Sequence, residues 1–222
     1  MKLRCRELAL ALCSGLSLAL TAYAYANPGV AACALIDTIP TAVRDSDGST
    51  TDARRRIQDA FGTPLAHPVI IFWDHPELLA KLRLNEYAST HLLGTPTCIF
   101  IGPKGRSIDV VAHELMHAET SERIGPWARM TQLPTWFDEG LAMQVDYRER
   151  YKLPVDADTR FVRTMASSTQ FFVENDEELT RRYAAAKSEV AKWMATVGAD
   201  AVYPLLECLR QGESFASMVR LE

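Results

Sequence analysis

The residues that most constrain this fold lie at 107–118. Ile108, Val111, Ala112 and Leu115 recur at helical spacing after Ser107, with Asp109 in the first turn. This pattern predicts a helix capped by Ser107 and packed along an apolar stripe. Val110, Met116 and Ala118 extend the apolar character round most of the circumference, so the helix belongs in a core. Yet it also carries His113, Glu114 and His117. Polar groups of that kind are costly to bury unless a partner satisfies them. His113 and His117 are one turn apart and project from one face. Two neutral imidazoles so placed bind one divalent ion, most often zinc. Glu114 lies about 100° round the helix, off the ligand face, where a general base could reach a water.

A catalytic zinc takes three protein ligands and keeps a position open. His67, His75 and His91 read as loop or strand-end residues rather than ligands. The better third ligand is Glu139, in Leu133-Pro134-Thr135-Trp136-Phe137-Asp138-Glu139-Gly140-Leu141-Ala142. Alone it would read as an exposed glutamate favoured by a helix N-terminus. Beside two paired histidines it becomes the missing donor. Thr135 and Asp138 fit a capping box, which would assign Asp138 to the helix start. Gly140 inside a helix costs about 1 kcal/mol relative to alanine, which points to close approach of another backbone.

His113-Glu114-Leu115-Met116-His117 followed by Trp136-x-x-Glu139-Gly140-x-Ala142 resembles the gluzincin metallopeptidases, in particular the small peptidase MA-like domains of exported proteins. The resemblance covers residues 107–147. It implies a zincin-like α+β domain over residues 27–222, with a small N-terminal sheet, an active-site helix and a helical C-terminal half. It implies one zinc ion held by His113, His117 and Glu139, with Glu114 as general base in peptide-bond hydrolysis. It also favours Tyr183 as the donor to the oxyanion, ahead of Tyr147 and Tyr151. The strand 98–101 resembles the edge strand flanking the cleft in that family. The chain departs from the pattern in two places. Twenty-one residues separate His117 from Glu139, an excess assigned to a loop at 123–132. Met143 stands where some relatives carry a carboxylate that orients a histidine, and Asp109 is the candidate replacement. The reading is a zinc endopeptidase acting on a peptide or protein. The alternative is a weakly active or inactive zinc-binding module in envelope assembly.

Residues 1–26 begin with Lys2, Arg4 and Arg6, continue through an apolar run from Leu8 to Leu20, and end in Ala-x-Ala pairs at 22–26. This is the three-part pattern of a secretory signal, followed by Asn27-Pro28-Gly29. Periplasmic or secreted location is expected, with no membrane span after cleavage; a lipid anchor at Cys33 is the lesser reading. Three of the 24 basic and one of the 28 acidic residues fall in that segment, leaving a net charge of -6. No basic field invites nucleic acid. Cleavage leaves Cys33, Cys98 and Cys208, and an oxidising compartment favours one bridge, Cys33–Cys98.

Elsewhere the reading is coarse. Residues 44–53 form a polar loop, 54–61 a short helix ending at Gly62, 69–73 and 97–101 buried strands, and 76–84 a helix. Residues 148–160 read as a connector and 167–180 as mixed. Residues 181–196 and 199–210 read as two helices parted by Gly198. Strands followed by helices make an α+β chain.

Overall fold

The computed structural model describes residues 48–73, 85–91, 97–154 and 156–220. The expected helix at 76–84, the segment 1–26 and Cys33 lie outside the described residues.

Helix α1 (Ser49–Phe61) ends at Gly62, whose positive φ of 98° suits glycine. It starts five residues before the sequence reading placed it, because Gly48 rather than the polar run sets its entry. Strand β1 (Val69–Phe72) runs parallel to β3 (Cys98–Ile101), and β2 (Ala88–His91) pairs antiparallel on the other side of β3. The order β1-β3-β2 makes β3 the central strand, buried at all four residues. The expectation of β3 as edge strand is therefore corrected: β2 takes that place. Its residues, Ala-Ser-Thr-His, show neither apolar alternation nor β-rich composition, so its pairing comes from tertiary contact rather than local signal.

The turn after β3 packs tightly against the entry to β2. Gly102 and Gly105 lie so close to the Glu86 and Tyr87 carbonyls that an added Cβ would sit at 2.3 Å and 1.9 Å. Gly102 N–H donates to Tyr87 O, and Lys104 N–H to Glu86 O. The Gly-Pro-Lys-Gly sequence is thus a tightly packed extension of the β2–β3 pair.

Helix α2 (Ile108–Ile124) starts as expected, with Ser107 Oγ accepting from Val110 N–H at 3.3 Å. Every residue from Val110 to Ser121 is buried. Helix α1, strands β2 and β3 and helices α4 (Thr135–Ala142) and α7 (Val202–Arg210) pack round it. The supposed loop after α2 holds a helix, α3 (Pro126–Gln132), with proline in its first turn. Beyond α4 come the short α5 (Ser168–Phe171) and the long α6 (Asp176–Val197). Asn175 caps α6 by accepting from Glu178 N–H, so it begins five residues before the expected start at Arg181. Helix α8 (Phe215–Met218) closes the described chain. Phe137 stacks edge-on against Trp193 at 5.2 Å and Phe215 at 4.9 Å, joining α4, α6 and α8. Gly140 makes the approach of α4 and α6 possible: a Cβ there would lie 2.7 Å from the Ala186 carbonyl and 2.5 Å from Val190. The result is mixed helix and sheet, with a three-stranded sheet and a mostly helical C-terminal half. No helix among the described residues is long and apolar enough to cross a membrane.

Candidate metal centre

Helix α2 presents His113 and His117, and α4 brings Glu139 against them. His113 Nε2 and His117 Nε2 are 3.2 Å apart, and each is 3.4 Å from Glu139 Oε2. Three donors thus form a nearly equilateral triangle. Zinc bonds of 2.0–2.1 Å in a tetrahedron separate ligand atoms by about 3.3–3.4 Å. The triangle has that edge. All three side chains are buried, and Glu139 Oε2 has no hydrogen-bond partner. Buried carboxylate oxygens are nearly always satisfied, so an unpartnered one facing two imidazole nitrogens suits a cation ligand. The group can hold a metal ion, as the sequence spacing anticipated.

Each histidine has a carboxylate near its other ring nitrogen. His117 Nδ1 lies 3.4 Å from Asp138 Oδ1, and Arg129 Nη2 lies 3.1 Å from the same nitrogen while pairing with Asp138 Oδ2. Thus Asp138 does not cap α4. That helix begins at Pro134 with no side-chain cap, and the carboxylate turns inward instead. His113 Nδ1 lies 3.8 Å from Asp146 Oδ2. Asp146 is fully buried and accepts from Arg148 backbone N–H, Nε and Nη2. The turn at Met143–Val145 redirects the chain after α4 and brings Asp146 under His113. Asp109 does not serve that role; it binds Arg56 Nη1 at 2.5 Å and accepts from Tyr147 N–H. Such outer carboxylates orient ligating imidazoles and fix the tautomer.

Burial opposes charging of His117, but the nearby Glu139 and Asp138 carboxylates overcome it and raise its pKa to about 10. Burial likewise opposes charging of Glu139, and the histidines outweigh it, so its carboxyl titrates below the usual range. Four carboxylates, Glu114, Asp138, Glu139 and Asp146, cluster here with Arg129, Arg148 and the Lys187 ammonium. A divalent cation would take the place of the His117 proton in this balance.

A cleft of about 280 Å³ opens on one side of this group, and His113, Glu114, Tyr151 and Tyr183 line it. Glu114 Oε2 accepts from Thr90 Oγ1 at 2.5 Å, which ties this carboxylate to the edge strand β2. The Tyr183 ring stacks edge-on to His113 at 5.9 Å. Burial raises the Tyr183 pKa well above its usual value, with the Glu139 and Glu114 charges adding to it. The phenol therefore stays protonated. Tyr151 lies beside Tyr183 at 5.7 Å. Tyr147, the third phenol considered, is exposed, with Arg56 over its ring at 4.3 Å, and does not line the cleft. His67 is exposed, away from the ligand group; His75 lies outside the described residues.

Sequence reasoning missed Thr90, Arg129, Asp146 and Arg148. Their places depend on β2 pairing, on the α3 turn and on the reversal after α4. Only the proximity of Asp146 to Arg148 was locally visible.

Cys98 is disulfide-bonded and Cys208 is free; Cys33, the partner expected for Cys98, lies outside the described residues. Compared with known proteins, the chain matches no family model, no curated protein and no solved structure.

Proposed function

We propose that this protein is an exported, zinc-dependent metallopeptidase of zincin-like fold, cleaving peptide or protein substrates internally. The observation that carries the proposal is the nearly equilateral triangle of His113, His117 and Glu139, with Glu114 beside it on the same cleft. When bound, zinc supplies Lewis acidity, lowering the pKa of water and polarising a carbonyl.

The chain supplies the rest. Thr90 holds one oxygen of Glu114, and the other makes no hydrogen bond among the described residues. That second oxygen takes a proton from the attacking water and returns it to the leaving amine. Tyr183, protonated at any working pH, donates its hydroxyl to the developing oxyanion. Asp138, 3.4 Å from His117 Nδ1, and Asp146, 3.8 Å from His113 Nδ1, are placed to orient the two rings on metal binding. A bridge at Cys98 suits an oxidising compartment and supports export.

The test is metal analysis of purified protein, joined to cleavage of an unbiased peptide library. Wild type should contain one zinc and cleave. Glu114→Gln should keep the zinc and lose about 10²–10⁴-fold in turnover. Tyr183→Phe should also keep the zinc, with turnover lowered about 10²-fold, the cost of one oxyanion donor. Stoichiometric zinc without cleavage by wild type would overturn the peptidase reading in favour of a binding module. Absence of zinc would overturn both.

A further inference from the structure

The cleft has a second end. From His113 it passes Tyr183 and Tyr151 and reaches two guanidiniums, Arg148 and Arg150. Each step is under 6 Å: 5.9 Å from His113 to Tyr183, 5.7 Å from Tyr183 to Tyr151, then 4.9 Å and 5.5 Å from the Tyr151 ring to Arg148 and Arg150. An extended peptide covers that distance in a few residues.

The two arginines are held differently. Arg148 is locked to the buried Asp146 through Nε and Nη2, and its Nη1 makes no hydrogen bond among the described residues. Arg150 uses only Nη2, which reaches both oxygens of Asp176 and the Thr180 hydroxyl. Its Nε and Nη1 have no hydrogen-bond partner among the described residues. Asp176 is 82 % exposed, so this pair is a surface ion pair. Such pairs add little stability and exchange readily. A carboxylate is thus already resting on Arg150 at the cleft rim. It is held weakly enough for another to replace it. The planar guanidinium is built for bidentate carboxylate binding, and Tyr151 beneath both arginines keeps the forks in place.

We propose that the Arg148–Arg150 end of the cleft is a subsite for a substrate carboxylate, either an acidic side chain or a chain-terminal carboxylate, a few residues from the bond cleaved. Asp176 occupies it as a placeholder in the free protein. The substrate class rests on the peptidase reading, while the subsite can be tested without catalysis.

The experiment uses zinc-loaded Glu114→Gln protein and fluorescent peptides of one sequence. One series carries Glu or Gln at successive positions, and a second carries a free or an amidated C-terminus. The expected result is about tenfold tighter binding of the Glu peptide at one position, or of the free terminus. The first outcome identifies an acidic side chain and the second a chain end. Adding Arg150→Gln should remove the preference. Asp176→Asn, which frees Arg150, should enlarge it. Equal affinity for every carboxylate peptide and its neutral partner would overturn the proposal. So would an unchanged preference in both Arg150→Gln and Asp176→Asn. Cleavage by wild type without carboxylate preference sinks the subsite and leaves the peptidase reading standing. Carboxylate-selective binding without any cleavage does the reverse.

Discussion

Glu189, Glu119 and Glu139 are three of the four glutamates buried among the described residues, and the protein treats Glu139 differently. Glu189 on α6, 0 % exposed, receives Thr159, Arg163 and Lys192. Glu119 on α2, 1 % exposed, receives the N–H groups of Leu65 and Ala66 at 2.8 Å each and Arg123 Nε at 2.6 Å. Glu139, 6 % exposed, has only imidazole nitrogens at 3.4 Å, and one of its oxygens is unpartnered. The first two are structural carboxylates that clamp distant segments together. They show that this fold can supply three donors to a buried carboxylate. At Glu139 Oε2 no described residue makes a hydrogen bond, and the nearest nitrogens are the two imidazoles of the group that could hold a metal ion. Burial alone therefore does not mark the site; an unpartnered carboxylate oxygen facing two imidazoles does.

The sharpest way to break the comparison is metal linkage. Zinc at a thousandfold excess over its dissociation constant should stabilise the wild-type protein by about 4 kcal/mol. Glu139→Ala should abolish that gain, whereas Glu189→Ala should keep it. Thermal unfolding with zinc and with chelator measures both. A full zinc shift in Glu139→Ala would remove Glu139 from the ligand set.

The next effect concerns the metal-free protein. Glu189→Ala leaves Arg163 and Lys192 without their carboxylate and should cost about 3 kcal/mol, the scale for breaking a buried pair. Above about pH 10, where His117 is neutral, Glu139→Ala should cost less than Glu189→Ala, because no charged donor then loses its partner there. Urea unfolding in chelator compares the two. An equal loss would mean that Glu139 is as structural as Glu189.

The pH response separates the sites further. In the folded, metal-free protein His117 titrates near 10, above its unfolded value of 6.5. Its protonation therefore stabilises the fold fully below pH 6.5, and this stability is lost as pH rises through about 10. Metal-free stability should fall across that window, and fall less steeply in Glu139→Ala, which lacks the main charge raising His117. Denaturant midpoints at several pH values measure it; a flat profile for wild type would contradict the His117 assignment. Zinc should flatten the profile by holding the imidazole in its neutral form.

These contrasts also show what the sequence could reveal. His113, His117, Glu114 and the capped helix α2 were legible because a local 3.6-residue period carries them. Glu139 was legible because the metal needs a third donor and the motif beside it is compact. Gly140 announced a close approach, and the Ala186 carbonyl of α6 is what approaches. The role of Asp138 was misread, since a capping box and an inward carboxylate have the same local spelling. Only the position of Arg129 and His117 decides between them. Strand β2 left no local trace because its four residues pair through β3, and Asp146 depends on a turn that no periodicity encodes. What was missed is the ring of residues that orient the chemistry, all placed by contacts distant in sequence.

The smallest expected effect tests one of those missed contacts. Thr90 is the sole hydrogen-bond donor to the Glu114 carboxylate among the described residues, and it stands on the edge strand. If the hydroxyl only fills space, Thr90→Val, which keeps the shape, should leave turnover unchanged. If it positions the base, Thr90→Val should lower kcat about tenfold with little change in KM. Loss of one hydrogen bond of about 1.4 kcal/mol is that factor. Thr90→Ser, which keeps the hydroxyl, should restore the rate. An unaltered rate in Thr90→Val would show that α2 alone orients Glu114, and that the sheet contributes only the wall of the cleft.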